Sequence, residues 1–71
     1  MTKNYSQIQN KYCDHVEGNY ANVESAKVAC NNRDDCVALS DKYCDDAWIL
    51  ICLTGTEFKN SSKGTCVYKV E

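Results

Sequence analysis

The sequence predicts a small, disulfide-rich α+β domain: one helix packed on an antiparallel β-sheet. Three observations carry that prediction. Six cysteines fall in 71 residues, at positions 13, 30, 36, 44, 52 and 66. A single segment has the cap and the period of an amphipathic helix. The runs after it are short, apolar or alternating, and rich in β-formers. One helix followed by consecutive short strands is the pattern of a helix laid across an antiparallel sheet rather than of a βαβ fold.

Residues 1–11 are polar and are expected to form a mobile N-terminal segment, with 12–71 making a single domain. Tyr12 to Val16 is the expected opening strand, able to pair with the last one. Gly18-Asn19 reads as a turn. The helix is expected over 23–32, with Asn22 as N-cap, Glu24 in the first turn, and Val23, Ala26 and Cys30 recurring along one face. Asn31 to Asp35 supplies the turn-prone side chains that end it. Cys36 to Ser40 reads as a strand, and Asp41 to Asp46 as a loop or hairpin end. Trp48 to Thr54 is the strongest strand pattern, an apolar run suited to the centre of a sheet. Thr56 to Gly64 is a polar loop, and Thr65 to Val70 alternates as a half-buried closing strand.

Size and composition bound the rest. A chain this short buries only about 60% of its unfolded surface, so covalent staples supply much of its stability. The aliphatic stock is thin: six Val, three Ile and three Leu. An even cysteine count at wide, irregular spacing reads as disulfides, which implies a secreted or cell-surface protein. The net charge is −2 and no two basic residues are adjacent. That argues against nucleic acid, which needs a concentrated basic footprint. The longest apolar run, Trp48 to Leu53, is far short of a bilayer span, so no membrane insertion is expected. The start, Met1 to Tyr5, carries no apolar h-region, as expected of a mature or excised form with an added initiator Met.

No metal or cofactor is expected. Structural zinc sites use cysteine pairs a few residues apart, closer than the nearest pair here, Cys30 and Cys36. The carboxylates Asp34, Asp35, Asp41, Asp45 and Asp46 cluster, yet no calcium loop motif joins them, and a solvated acidic surface is the commoner reading. Catalysis finds little support. His15, the only histidine, could act as base for Cys13 only if that thiol were free.

The block Ala26-Lys27-Val28-Ala29-Cys30, a short acidic turn, then Cys36-Val37-Ala38-Leu39, resembles the apple, or PAN, domains of extracellular proteins. Ile51-Cys52-Leu53 is similar to the family's strand cysteine, and Cys13 and Cys66 sit near the ends as the apple subtype's terminal pair does. The resemblance implies the bridges Cys13–Cys66, Cys30–Cys52 and Cys36–Cys44. Cys30 on the inner helix face and Cys52 on the central strand are where a helix–sheet staple would form. Spacing alone selects no pairing.

The expected function is non-covalent recognition by loops on a stapled frame. The expected partner is an extracellular protein or a glycan, in a matrix, coat or adhesive assembly, with self-association open. Aromatic faces stack on sugar rings while Asn and Asp bind hydroxyls, and some apple-like domains bind glycans. Tyr12, Tyr68 and Trp48 lie in expected strands and are read as core. Tyr20, Tyr43 and Phe58 lie in or beside loops and are better placed for contact. Asn19, Tyr20, Asp41, Tyr43, Asp45 and Asp46 are the expected contact residues. Asn4 and Asn60 each open an N-glycosylation sequon. The competing classes are a secreted effector, either toxin or protease inhibitor, and a structural protein acting by self-assembly.

Overall fold

The computed structural model describes residues 3–71, and these form one helix and two layers of strand. The elements in order are β1 (Tyr5–Gln9), β2 (Lys11–Cys13), β3 (Val16–Tyr20), α1 (Val23–Asn31), β4 (Cys36–Asp41), β5 (Ile49–Leu53), β6 (Phe58–Asn60) and β7 (Cys66–Val70). Five strands make the main sheet in the order β1-β7-β4-β5-β3, antiparallel throughout. β2 and β6 pair separately as a two-stranded sheet. The small disulfide-rich α+β fold, a helix on an antiparallel sheet, is therefore present.

α1 forms where its cap and period place it. The Asn22 side chain accepts a hydrogen bond from the Ser25 amide at 2.8 Å, and Ala26 and Cys30 are buried. The helix lies on one face of the main sheet, packing Ala26 and Cys30 against Leu39 of β4 and Ile49 and Ile51 of β5. On the opposite face a second core gathers Cys13, Ala38, Cys52 and Val67, with Phe58 of the small sheet against it. The main sheet is thus covered on both sides, by α1 and by β2–β6. Val37 is the extra residue of a β-bulge, since Cys36 pairs with Leu53 and Ala38 with Cys52. The bulge puts Val37 and Ala38 together on the second core.

Three disulfides close the frame: Cys13–Cys52, Cys30–Cys36 and Cys44–Cys66. All six cysteines are bonded, but the pairs Cys13–Cys66, Cys30–Cys52 and Cys36–Cys44 implied by the apple resemblance are not those found. The reason is strand alternation. Ile49 and Ile51 face the helix, so Cys52 faces away from it and cannot meet Cys30. Cys30 instead meets Cys36 across the short turn that ends α1, at a Cα separation of 5.3 Å. Cys66 lies opposite Asp41 in the β4–β7 ladder, next to the loop that carries Cys44.

Several other expectations are corrected. The segment 1–11 is not loose in its described part, since β1 is an edge strand paired along β7 from Tyr5↔Val70 to Gln9↔Cys66. Its residues 1 and 2 lie outside the described residues. Lys3 ties this segment down by donating to the carbonyls of Cys30 at 2.7 Å, Arg33 at 2.5 Å and Cys36 at 3.3 Å. A cation there satisfies carbonyls at the helix C-terminus, where the dipole favours positive charge. Tyr12 to Val16 is not one strand pairing with the last: β2 pairs with β6, and β3 with β5. Gly18-Asn19 is no turn but an irregularity in β3, with Gly18 at φ 78° where the register with β5 shifts. The polar loop 56–64 contains β6. Trp48 is 62% exposed, because β5 begins one residue later and Trp48 itself takes the left-handed conformation, φ 60°.

Asp41, at the end of β4, is fully buried. Its carboxylate accepts from the amides of Asp45 at 3.3 Å and Asp46 at 2.9 Å. Asp46 in turn accepts from the Val23 amide at 2.8 Å, the first residue of α1. One buried carboxylate so fixes the loop between β4 and β5 and links it to the helix start. Asp41→Ala strands two inward-facing amides and is expected to cost about 2–3 kcal/mol, read as a lower urea midpoint at unchanged slope.

Candidate functional site

The face opposite α1 carries a cleft of about 510 Å³ between the small sheet and the main one. β4 and β5 contribute Ser40 and Leu50, β2 contributes Tyr12 and Cys13, and the stretch from Asn60 to Lys63 forms the far wall. Lys42 and Thr65 complete it. The volume is in the range that holds small ligands. The placement follows from local rules. Ser40 and Leu50 pair across β4 and β5 and alternate with the helix-facing Leu39 and Ile51. Asn10, at φ 62°, turns the chain between β1 and β2, so that β2 leaves the main sheet and stands beside β6.

A chain of hydroxyls crosses one side of the cleft. The Lys63 amide donates to Ser61 Oγ at 3.2 Å, the Ser61 hydroxyl to Thr65 Oγ1 at 3.0 Å, and the Thr65 hydroxyl to the Lys42 carbonyl at 2.8 Å. Asn10 locks the same corner by paired backbone bonds, its amide to Thr65 and its carbonyl from Ser61, each 2.8 Å. The backbones of both lysines are therefore tied through one hydroxyl relay. Ser40 is a buried residue whose hydroxyl makes no hydrogen bond to a described residue, and since no fully buried polar side-chain atom among those residues is unpaired, that hydroxyl keeps some exposure. Its hydroxyl therefore opens onto the cleft. Tyr12 is 39% exposed, so the expectation that it packs the core is corrected: it borders the cleft from a strand on the domain surface.

The wall made by β2 and β6 is itself held by Asp14. Its Oδ1 accepts from the Glu57 amide at 2.8 Å and the Thr56 hydroxyl at 3.2 Å, and Lys59 lies 3.4 Å from Oδ2. The Glu57 amide chiefly holds its carboxyl below the ordinary value of 3.8; burial opposes it, and Thr56 and Lys59 add to the lowering.

The expected contact residues fall elsewhere. Asp41 cannot be a surface contact, being fully buried with both oxygens bonded. Asp46 uses its carboxylate on the start of α1, while the Asp45 side chain is exposed. Tyr43 is 58% exposed, with Lys42 Nζ 5.5 Å from its ring centre. Asn19 is exposed and Tyr20 half-buried, packed on the helix-side core from β3. Burial raises the Tyr68 hydroxyl pKa, as do the nearby Asp41 and Asp46 charges, and the ring packs on the helix-side core. Asp41, Asp45 and Asp46 come together, but on the structural loop and not in the cleft. Of the sequon residues, Asn60 lines the cleft and accepts from Lys11 Nζ, while Asn4 is exposed near the chain ends, its carbonyl bonded to the Glu71 amide. Sequence reasoning missed Lys42, Ser40, Leu50 and Lys63. Nothing in the sequence brings Tyr12 and Ser40 to the 60–63 stretch until the partner of Cys13 is known.

Cys13 is bonded to Cys52, so it offers no thiolate to His15, whose own amide donates to Thr56. Among the described residues no group of three His, Cys, Asp or Glu side chains converges as a metal site. No helix among them is long and apolar enough to cross a membrane. Comparison with known proteins gives no match to a family model, to a curated protein or to a solved structure.

The depressed Asp14 pKa sets a pH dependence. A carboxyl more acidic in the fold than in the unfolded chain stabilises above its unfolded value, and that contribution is lost as pH falls through the folded one. The stability gap between wild type and Asp14→Asn is therefore expected to be constant from neutral pH down to about 5 and to shrink at lower pH. Urea midpoints of the two proteins across that range check it.

Proposed function

We propose that this chain is a secreted, non-catalytic recognition module that binds carbohydrate in the cleft between its two sheets. The observation that carries the reading is the cleft's composition. It joins a half-exposed aromatic ring, an apolar floor residue and a series of hydroxyls, one of which, on Ser40, has no partner among the described residues. A pyranose presents an apolar C–H face and a rim of hydroxyls, and that pair of surfaces matches Tyr12 with Leu50 and the serines. The disulfide framework supports an extracellular setting, because such bonds persist in oxidising compartments. A non-catalytic role is in keeping with a Cys13 held in a bridge and a lone exposed histidine. The apple/PAN resemblance belongs to this reading only through its helix, turn and strand block, Ala26 to Leu39. The bridges it implied are not part of the support.

A second reading rests on a different observation. Trp48 and Tyr43, 62% and 58% exposed, stand on the loop fixed by Asp41 and suit contact with a protein, whether a target of a secreted effector or another copy in an assembly.

A glycan array probed with the oxidised protein separates the two. The expected result is binding to a subset of glycans, weakened about tenfold, or ~1.4 kcal/mol, by Tyr12→Ala and unaffected by Trp48→Ala. Silence across the array overturns the carbohydrate reading and leaves the loop's protein contact.

A further inference from the structure

Resting on the carbohydrate reading of the cleft, we infer that this site selects acidic saccharides, with Lys42 and Lys63 as the groups that read the negative charge. The chain has ten acidic residues against eight basic ones, yet no Asp or Glu lines the cleft and two lysines do. Five of the ten acids are engaged elsewhere: Asp14 faces Lys59, Glu17 and Asp35 share Arg33, Asp41 is buried under its own loop, and Asp46 accepts from the start of α1. A cleft with only positive charge on its walls, in a negatively charged molecule, is electrostatically set apart from the surface around it.

The remaining six cations are placed elsewhere. Lys3 caps the end of α1, Lys11 donates to Asn60, Arg33 and Lys59 hold carboxylates, and Lys27 and Lys69, which line no part of the cleft, overlie the Tyr5 and Phe58 rings. Lys42 and Lys63 have no carboxylate partner among the described residues. Lys42 only overlies the exposed Tyr43 ring, a contact that is weak at a solvent-facing site and easily given up. Both lysines are exposed, while the hydroxyl relay through Ser61 and Thr65 fixes the Lys63 amide and the Lys42 carbonyl. Fixed roots with free ammonium groups lower the ordering cost of gripping an anion. An ammonium is a compact charge with three rotatable donors, suited to a sugar carboxylate or sulfate whose orientation varies. The neighbouring hydroxyls and Tyr12 supply the contacts for the ring that bears it.

The test uses the oxidised protein and three oligosaccharides of equal length: an oligogalacturonate, its methyl ester, and a sulfated neutral oligosaccharide. The oligogalacturonate or the sulfated chain is expected to bind at least about tenfold more tightly than the ester, an advantage that shrinks between about 0.05 M and about 0.5 M salt. Lys42→Gln with Lys63→Gln should bring all three to the affinity of the ester without abolishing it, and Lys27→Gln, on the helix side, should change nothing. A thermal melt of the double variant matching wild type shows that the fold is kept. Equal binding of acid and ester overturns the charge inference and leaves the carbohydrate reading standing, whereas no binding to any of the three, or to the glycan array, overturns both. An acid preference that survives the double substitution overturns the role of these lysines. Tighter binding to a polyglutamate peptide of the same charge overturns the saccharide class.

Discussion

The Cys13–Cys52 bridge is the constraint on which the rest of this small protein depends. β2 and β6 are three residues each, too short to be stable as a free pair. The bridge fastens the end of β2 to Cys52, next to the end of β5, and so holds the small sheet against the main one. It also closes the largest loop of the three, with a sequence separation of 39 against 22 and 6. Loop-closure entropy then assigns it the largest share, about 4 kcal/mol against about 3 and 2, though interleaved loops do not add. The cleft exists because this bond sets two layers side by side without filling the space between Tyr12 and Ser40.

The helix face is organised differently. There the apolar packing of Ala26, Leu39, Ile49 and Ile51 is reinforced by polar ties at both ends of α1. At the start, Asp46 and Asn22 accept from the first amides, and Asp41 holds the loop that presents Asp46. At the other end Lys3 gathers three carbonyls and the Cys30–Cys36 bridge returns the chain into β4. The acidic cluster between residues 41 and 46 is largely part of this scaffold. The proposed recognition chemistry lies on the opposite face, where hydroxyls and lysines replace carboxylates.

Much of the helix face was legible in the sequence. Asn22, the period of Val23, Ala26 and Cys30, and the apolar run before Thr54 place α1 and β5 nearly as they stand, because local capping and packing rules decide them. The bridges were not legible, although one signal was present. The alternation Ile49, Leu50, Ile51, Cys52 puts Cys52 on the side away from the helix, and that excludes a bond to Cys30. β1 was missed because Tyr5 to Gln9 is mostly polar, as suits an edge strand whose order comes from pairing with β7 and from Lys3. Trp48 misled because its apolar character suited a strand while its position belonged to a loop. The cleft joins β2, β4, β5 and the 60–63 stretch, and only the three-dimensional pairing brings them together.

The most direct measurement is a disulfide map, by mass spectrometry of peptides from the unreduced, alkylated protein cut between its cysteines. The Cys13 peptide is expected to be joined to the Cys52 peptide, with Cys30 linked to Cys36 and Cys44 to Cys66. A Cys13–Cys66 link, or free thiols at 13 and 52, would detach the small sheet from β5 and contradict both the layered architecture and the cleft it creates.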